Sequence, residues 1–210
     1  MIYIIATTCI IDENRILQYK KALDILIKKF KNLKLPHRII IVENNGRRKT
    51  FLDEYENDNV KIYYTNNQTL KSNRIINNKL VPLDGSTFKG YKELKDVKDC
   101  INYFRINDDD LIVKITGRYI LQDKCPFLEE LNNMDLFDFI GMKTCNMNPP
   151  SSVITGLIAL RCKYVKEISF LEKYSIEVNW ASIVATIPDN KKKFLNYMGI
   201  HDLGLCKRII

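Results

Sequence analysis

The chain has only two histidines, one tryptophan and eight glycines in 210 residues, and its six cysteines form no CxxC pair. Cys9, Cys100, Cys125, Cys145, Cys162 and Cys206 stand far apart, which excludes a zinc-ribbon spacing and the dense framework of a small disulfide-stapled domain. Several lie in apolar surroundings, so they read as free thiols in a reducing compartment. The opening MIYIIATTCII is apolar, but it lacks the basic start and small-residue cleavage pattern of a leader and is too short to span a bilayer. It reads as a first strand. No transmembrane segment is expected, and the expected location is cytoplasmic. No GxGxxG follows that strand, which removes the dinucleotide-binding fingerprint. There is no internal repeat and no low-complexity segment.

What is there is ordinary globular usage. At 46% hydrophobic and 28% charged, the chain can build one sizeable core, and a single domain is expected. The net charge of +8 favours anionic partners. The lysines are scattered, with only Arg47–Lys49 and Lys191–Lys193 as short clusters. Such scatter reads as a solvated basic surface rather than a nucleic-acid stripe, and no stable nucleic-acid partner is expected.

Strands and helices alternate along the chain. After a strand over Ile2–Thr8, the residues Ile16, Tyr19, Leu23, Leu26, Ile27 and Phe30 recur at helical spacing. RIIIVE at Arg38–Glu43 is a second buried strand ending in Glu43, Asn44, Asn45 and Gly46. A short helix around Thr50–Tyr55 and a third strand at Val60–Tyr64 follow. This β-α-β-α-β start predicts a mostly parallel sheet whose ligand crevice lies at the carboxyl ends of the strands, with Thr7, Thr8, Glu43, Asn44 and Asn45 around one pocket. Thr65–Ser86 is polar and aperiodic and reads as a long loop. Leu94, Val97, Ile101 and Phe104 mark a helix over Tyr91–Phe104.

The next stretch, LIVKITGRY at Leu111–Tyr119, is an apolar run that breaks into a polar end. It suits a strand covered on both faces. Lys114 interrupts it: an ammonium there either reaches solvent at the strand end or belongs to a site where an anion meets it. Gly117 permits a tight turn or a close ligand, and Arg118 brings a forked donor suited to phosphate. Beyond it, Pro126 opens a short helix to Leu131, Asp138–Met142 and Val153–Leu160 read as strands, and a helix runs from Cys162 to about Leu171. Gly156 inside the second of these strands marks a bulge or a close approach. A last helix begins after Ser175, with Glu177 in its exposed first turn, and Pro188 ends it.

The first strand ending in Thr7-Thr8, VENN at Val42–Asn45, KGYKEL at Lys89–Leu94 and KITGRY at Lys114–Tyr119 together resemble the GT-A-fold nucleotide-sugar glycosyltransferases. KGYKEL and KITGRY are similar to stretches of the small ones assigned in large DNA viruses and bacterial polysaccharide loci; in a viral setting the location would be the host cytoplasm. The resemblance implies a single α/β domain of Rossmann-like, GT-A type, with a mostly parallel, mixed sheet flanked by helices. Residues 1–120 would bind the nucleotide sugar, and 121–210 would bind the acceptor and close over it. It implies transfer of a sugar from a nucleotide-diphosphate sugar to a hydroxyl of a glycan or glycoconjugate.

Residue by residue, the resemblance puts Thr7, Thr8, Glu43, Asn44 and Asn45 on the nucleotide. Lys114, Thr116, Gly117 and Arg118 fall on the diphosphate, and Lys89, Thr155 and Gly156 on the sugar or acceptor. HDLGLCK is similar to the HxxGxxK motif of glycogenin-like enzymes, which would give His201, Gly204 and Lys207 to the diphosphate and His201 to a metal. The alternative for that segment is a tail strand with an exposed His. Glu177 is the candidate base for an inverting reaction, or a carboxylate that merely favours the helix dipole.

One departure concerns the metal. The family's Asp-x-Asp motif follows the fourth strand, where this chain has Thr116-Gly117-Arg118. Asp108-Asp109-Asp110 has the letters but precedes the strand, at its amino end, and reads mainly as a polar turn. Asp108 and Asp110 are therefore the lesser candidates for Mn²⁺ or Mg²⁺. A rival of another class is a non-catalytic nucleotide- or nucleic-acid-binding module using tyrosines as stacking platforms. Against it, Tyr63, Tyr64, Tyr103 and Tyr164 fall inside expected strands and helices, where core packing accounts for them.

Overall fold

The computed structural model describes residues 1–46, 51–70, 73–76, 79–82, 85–144, 151–169 and 174–203, with 73–76, 79–82 and 85–88 as backbone alone. In chain order the elements are β1 (Ile2–Thr8), α1 (Glu13–Lys31), β2 (His37–Glu43), β3 (Val60–Tyr64), β4 (Asn73–Ile76), β5 (Lys79–Pro82), α2 (Gly85–Tyr103), β6 (Leu111–Thr116) and β7 (Tyr119–Leu121). Then follow α3 (Pro126–Leu131), β8 (Phe139–Gly141), β9 (Leu157–Arg161), α4 (Cys162–Glu167), α5 (Ile176–Thr186), β10 (Lys192–Phe194) and β11 (Ile200–Asp202).

Seven of these strands make one mixed sheet in the order β10-β8-β9-β6-β1-β2-β3. The run β6-β1-β2-β3 is parallel throughout, whereas β9 lies antiparallel between β6 and β8. The chain leaves β1 toward β2 and β3, then returns to β1's other side as β6. The strand order thus reverses at β1, and in an open α/β sheet that is where a crevice opens beyond the carboxyl ends.

Alternation of side chains along the strands divides the core in two. Ile2, Ile4, Ala6, Ile39, Ile41, Leu111, Val113 and Ile115 face α1 and α3, meeting Leu23, Leu26, Phe30 and Phe127. Ile5, Ile40, Val42 and Ile112 face the other way, onto Leu94, Val97 and Ile101 of α2 and Trp180 and Val184 of α5. The same period turns Lys114 toward α2, together with Ile112. Helix α1 starts at Asp12, whose side chain accepts the Arg15 amide at 2.8 Å, as N-cap aspartates do.

Several expectations change. The polar stretch after β3 is not one long loop: it holds a 3-10 turn at Asn67–Thr69, the antiparallel pair β4–β5 and the first turn of α2. Asparagine-rich sequence carries weak periodicity, so these short elements leave no pattern to read. The helix expected over Thr50–Tyr55 is a 3-10 turn at Asp53–Tyr55. The strand expected from Val153 begins only at Leu157, with Val153 held by an isolated bridge to Lys143. Gly156 precedes that strand, and a Cβ there would lie 2.0 Å from the Tyr119 ring. Tyr103 is not core: it is 67% exposed and stacks on Tyr63 at 4.7 Å between ring centroids. Among the described residues no helix is long and apolar enough to cross a membrane.

Gly117 joins the ends of the two central strands. Its amide donates to the Thr7 carbonyl at 2.8 Å, and a Cβ would come within 2.6 Å of Thr8 Cγ2 and 3.0 Å of the Thr7 carbonyl oxygen. Backbone cannot yield as a side-chain tip can, so Gly117→Ala is overpacked and should lose roughly 1–3 kcal/mol. Urea unfolding checks this: a lower midpoint with an unaltered slope is expected, and an unmoved midpoint would mean the two strand ends are not so closely apposed.

Candidate functional site

Beyond the carboxyl ends of β1, β2 and β6 lies a cleft of ≈ 360 Å³. Thr7, Thr8 and Cys9 come from the end of β1, Asn44 from the end of β2, and Thr116 and Arg118 from the end of β6. Helix α1 adds Arg15 and Tyr19, α2 adds Lys89, Lys92 and Glu93, and Gln68 comes from the turn after β3. Ile11 separates this cleft from a smaller cavity of ≈ 220 Å³ bounded by Ile10, Asp12, Glu43, Asn45, Gly46 and Phe51, among others.

The larger cleft is cationic. Arg15, Lys89, Lys92 and Arg118 line it against one carboxylate, Glu93. Arg118 Nε donates to Asp202 Oδ1 at 2.9 Å, which orients the guanidinium while leaving its terminal nitrogens to other acceptors. Lys92 Nζ donates to the Gln68 carbonyl at 2.5 Å. The Arg15 guanidinium and the Lys89 ammonium have no counter-ion among the described residues. Desolvation, and next the Arg118 charge, holds Lys89 below the usual lysine range. Both cations would gain from an anion in the cleft.

At the floor, Glu93 meets Lys114. The ammonium of Lys114, itself 2% exposed, lies 2.8 Å from Glu93 Oε1 and also donates to the Thr155 carbonyl at 2.6 Å and Thr116 Oγ1 at 3.2 Å. Thr7 Oγ1 and Thr116 Oγ1 donate to Glu93 at 2.6 and 3.1 Å. Burial pushes the Glu93 carboxyl upward, but the Lys114 charge and these hydrogen bonds outweigh it and hold the group below the ordinary glutamate range.

A fully buried carboxylate stands beside them on α2. Asp96 is 0% exposed and accepts from Asn44 Nδ2 at 2.9 Å, Thr65 Oγ1 at 2.7 Å and Asn67 Nδ2 at 2.6 Å. No cation among the described residues pairs with it, and burial pushes it up to about 6 against those three bonds. It ties the β2 and β3 ends to α2 and fixes the amide of Asn44.

The residues singled out from sequence separate accordingly. Thr7, Thr8, Asn44, Thr116, Arg118 and Lys89 share the cleft, while Glu43 and Asn45 line the smaller cavity. Glu43 is 2% exposed and accepts from Thr8 Oγ1 and from the Ile10 and Asn45 amides at 2.7–3.2 Å, so much of its capacity closes the chain's own turn. Lys114 and Gly117 lie behind the cleft wall, Lys114 reaching it through Glu93 and Thr116. Thr155 and Gly156 line neither cavity; the Thr155 carbonyl serves Lys114, and Gly156 makes room for Tyr119.

His201 pairs with Ile120 in the β7–β11 ladder. Alternation along β11 turns Asp202 to Arg118 and therefore His201 to the other face. Gly204 and Lys207 lie outside the described residues. Glu177 is in the first turn of α5 and lines neither cavity, although its charge is felt at Tyr119, whose phenol is pushed up to about 12, chiefly by burial and Asp202. Asp108 pairs with Lys166 at 2.5 Å, and Asp110 accepts the Met1 ammonium at 2.8 Å and the Asn107 amide at 3.2 Å, all at the opposite end of β6. Among the described residues no three His, Cys, Asp or Glu side chains converge where a metal ion could sit.

Arg15, Lys92, Glu93 and Asp96 escape sequence reading. A signal existed for two of them. Arg15 stands in the first turn of a helix, where the macrodipole disfavours a cation, and Lys114 in a buried strand demands a carboxylate that Glu93 of KGYKEL supplies.

No family model matches the chain, and no curated protein matches it by sequence. Solved structures do match in three dimensions. One is a 4-diphosphocytidyl-2C-methyl-D-erythritol synthase, 10% identical, with 96% of this chain and 92% of that one covered and a TM-score of 0.49. Another is assigned as a glucose-1-phosphate thymidylyltransferase from Bacillus anthracis, in complex with sucrose; it is 14% identical, with 96% and 89% covered and a TM-score of 0.50. At such identities the second likeness establishes the fold alone, a Rossmann-like α/β domain of GT-A type.

The Asp96 pKa carries a pH signature. A carboxyl raised from its ordinary 3.8 to about 6 keeps its proton longer in the folded state, so its stabilising contribution is full below pH 3.8 and is lost as pH rises through 6. The loss is on the order of 3 kcal/mol. Asp96→Asn is neutral throughout and lacks this slope. Urea unfolding of both proteins at pH 4 and pH 7 should show the variant gaining on the parent by about that amount, whereas a constant gap would mean that Asp96 ionises normally.

Proposed function

We propose that the protein is a glycosyltransferase that takes a nucleotide-diphosphate sugar in the cationic cleft and passes the sugar to a hydroxyl acceptor. The observation that carries this reading is the gathering of Arg15, Lys89, Lys92 and Arg118 around the carboxyl ends of β1, β2 and β6. A diphosphate leaving group develops charge as the anomeric bond breaks, and fixed cations aimed at it favour that state. Arg118, braced by Asp202 from a neighbouring strand, is oriented before ligand arrives. The smaller cavity beside Glu43, Asn45 and Phe51 would take part of the nucleoside. In an inverting reaction Glu177 would receive the acceptor proton, with 121–210 forming the acceptor side.

The likeness to a sugar-phosphate thymidylyltransferase favours a second reading, nucleotidyl transfer to a sugar phosphate. The two reactions differ in what leaves. Incubation with nucleotide-diphosphate sugars should release nucleoside diphosphate if the first reading holds. Release of pyrophosphate from a nucleoside triphosphate and a sugar 1-phosphate would replace it with the second. Tight binding without either product would leave a nucleotide-binding module.

Charge assigned to the diphosphate has a measurable mark. A charge-assisted contact contributes roughly 1.5–3 kcal/mol, or about ten- to a hundredfold in affinity. Lys89→Ala, which removes a cation with no partner among the described residues, and Arg118→Ala should each weaken UDP or GDP by that factor and leave uridine or guanosine within about twofold. Calorimetry on both ligand pairs decides it: equal losses for nucleoside and diphosphate would remove these residues from the phosphates.

A further inference from the structure

We propose that Glu93 is the residue that receives the hydroxyls of the donor sugar, and that Lys114 is its positioning residue rather than a phosphate ligand. This rests on the reading of the cleft as a nucleotide-sugar site. Among the residues lining the cleft, Glu93 is the one carboxylate, amid four cationic side chains. A carboxylate placed there repels a polyphosphate, so it suits the uncharged part of the ligand. Sugar hydroxyls are that part, and an ionised acceptor binds them more strongly than a neutral one.

The bonding of Glu93 prepares it for this. Lys114 Nζ, Thr7 Oγ1 and Thr116 Oγ1 all engage the same oxygen, Oε1, at 2.8, 2.6 and 3.1 Å. Oε2 accepts no hydrogen bond from any described residue, and the side chain remains 24% exposed. One oxygen therefore anchors the group to β1 and β6, and the other is left for a ligand. Because the rotamer is already fixed, binding costs little further ordering. Lys114 has no such freedom: Glu93, the Thr155 carbonyl and Thr116 take up its three donors. Its charge keeps Glu93 ionised and so able only to accept.

The position agrees. Thr7 and Thr116 end the two strands between which the sheet order reverses, so Glu93 lies at the floor of the crevice. Lys89 is one helical turn away on α2, and Arg118 follows Thr116 by two residues. A sugar resting on Glu93 would have its phosphates within the cationic group.

The test compares, by calorimetry, the nucleoside diphosphate that binds best among UDP, GDP, CDP and dTDP with its hexose conjugates, in the parent and in Glu93→Gln. The variant should bind the conjugate at least about tenfold more weakly and the bare diphosphate equally well or better, since a repelling charge has gone. An unaltered ratio of the two affinities overturns the proposal for Glu93. Failure of every diphosphate to bind the parent overturns instead the nucleotide-sugar reading beneath it. Because Glu93→Gln leaves a buried ammonium unmatched, the paired Glu93→Gln, Lys114→Met protein is measured alongside, with the same loss expected. Lys114→Met alone separates positioning from contact. It should keep the conjugate affinity at pH 8 and lose it on acidification at a higher pH than the parent does. A parallel pH profile would overturn the role given to Lys114.

Discussion

The structure depends on one buried ion pair, Lys114 with Glu93, where the central strand β6 meets helix α2. An ammonium inside a covered sheet is costly unless an anion meets it with good geometry. Here the carboxylate arrives at 2.8 Å, and the two remaining donors of the ammonium reach the Thr155 carbonyl and Thr116. The pair locks β6 to α2 and, through Thr7, to β1. It therefore fixes the relative position of the three elements whose ends form the cleft. Replacing it with apolar residues could hold the layers together as well, but would leave no oriented carboxylate at the crevice floor.

Two other polar contacts extend this scaffold outward. Asp96 clasps Asn44, Thr65 and Asn67, bringing the ends of β2 and β3 down onto α2 on one side. Asp202 clasps Arg118, joining the β7–β11 ladder to the cleft on the other. Each uses a carboxylate to orient a group that faces the cleft, while Arg15 and Lys89 have no counter-ion among the described residues. The resulting potential is positive within a wall of threonine hydroxyls, an asparagine and one glutamate. Such a surface would hold a ligand that is anionic at one end and rich in hydroxyls at the other.

What the sequence determined by itself is the frame. Short runs rich in Ile, Val, Leu and Tyr read as strands, and Ile2–Thr8, Val60–Tyr64 and Leu111–Thr116 are strands within the bounds read from sequence. Helical spacing of Leu23, Leu26 and Phe30, and Pro126 at a first turn, likewise fixed α1 and α3. The crevice at the carboxyl ends followed from that order, because parallel β-α-β units place their loops there. These features are local or periodic, and the order of residues along the chain expresses them.

Only the tertiary structure decided which side chains meet. Glu93 and Lys114 are 21 positions apart, and Arg118 and Asp202 are 84 apart; no spacing rule joins them, since their contact depends on the pitch of α2 against the sheet and on a ladder formed far along the chain. Glu43 was marked by its place at a strand end, yet the fold turns its oxygens onto the Ile10 and Asn45 amides. His201 was marked by a motif, yet strand alternation gives the inward position to Asp202. Lys114 was the informative residue in the sequence: its charge in an apolar run required an anion. Which anion answered it was a question of packing, settled only when α2 laid Glu93 across the ends of β1 and β6.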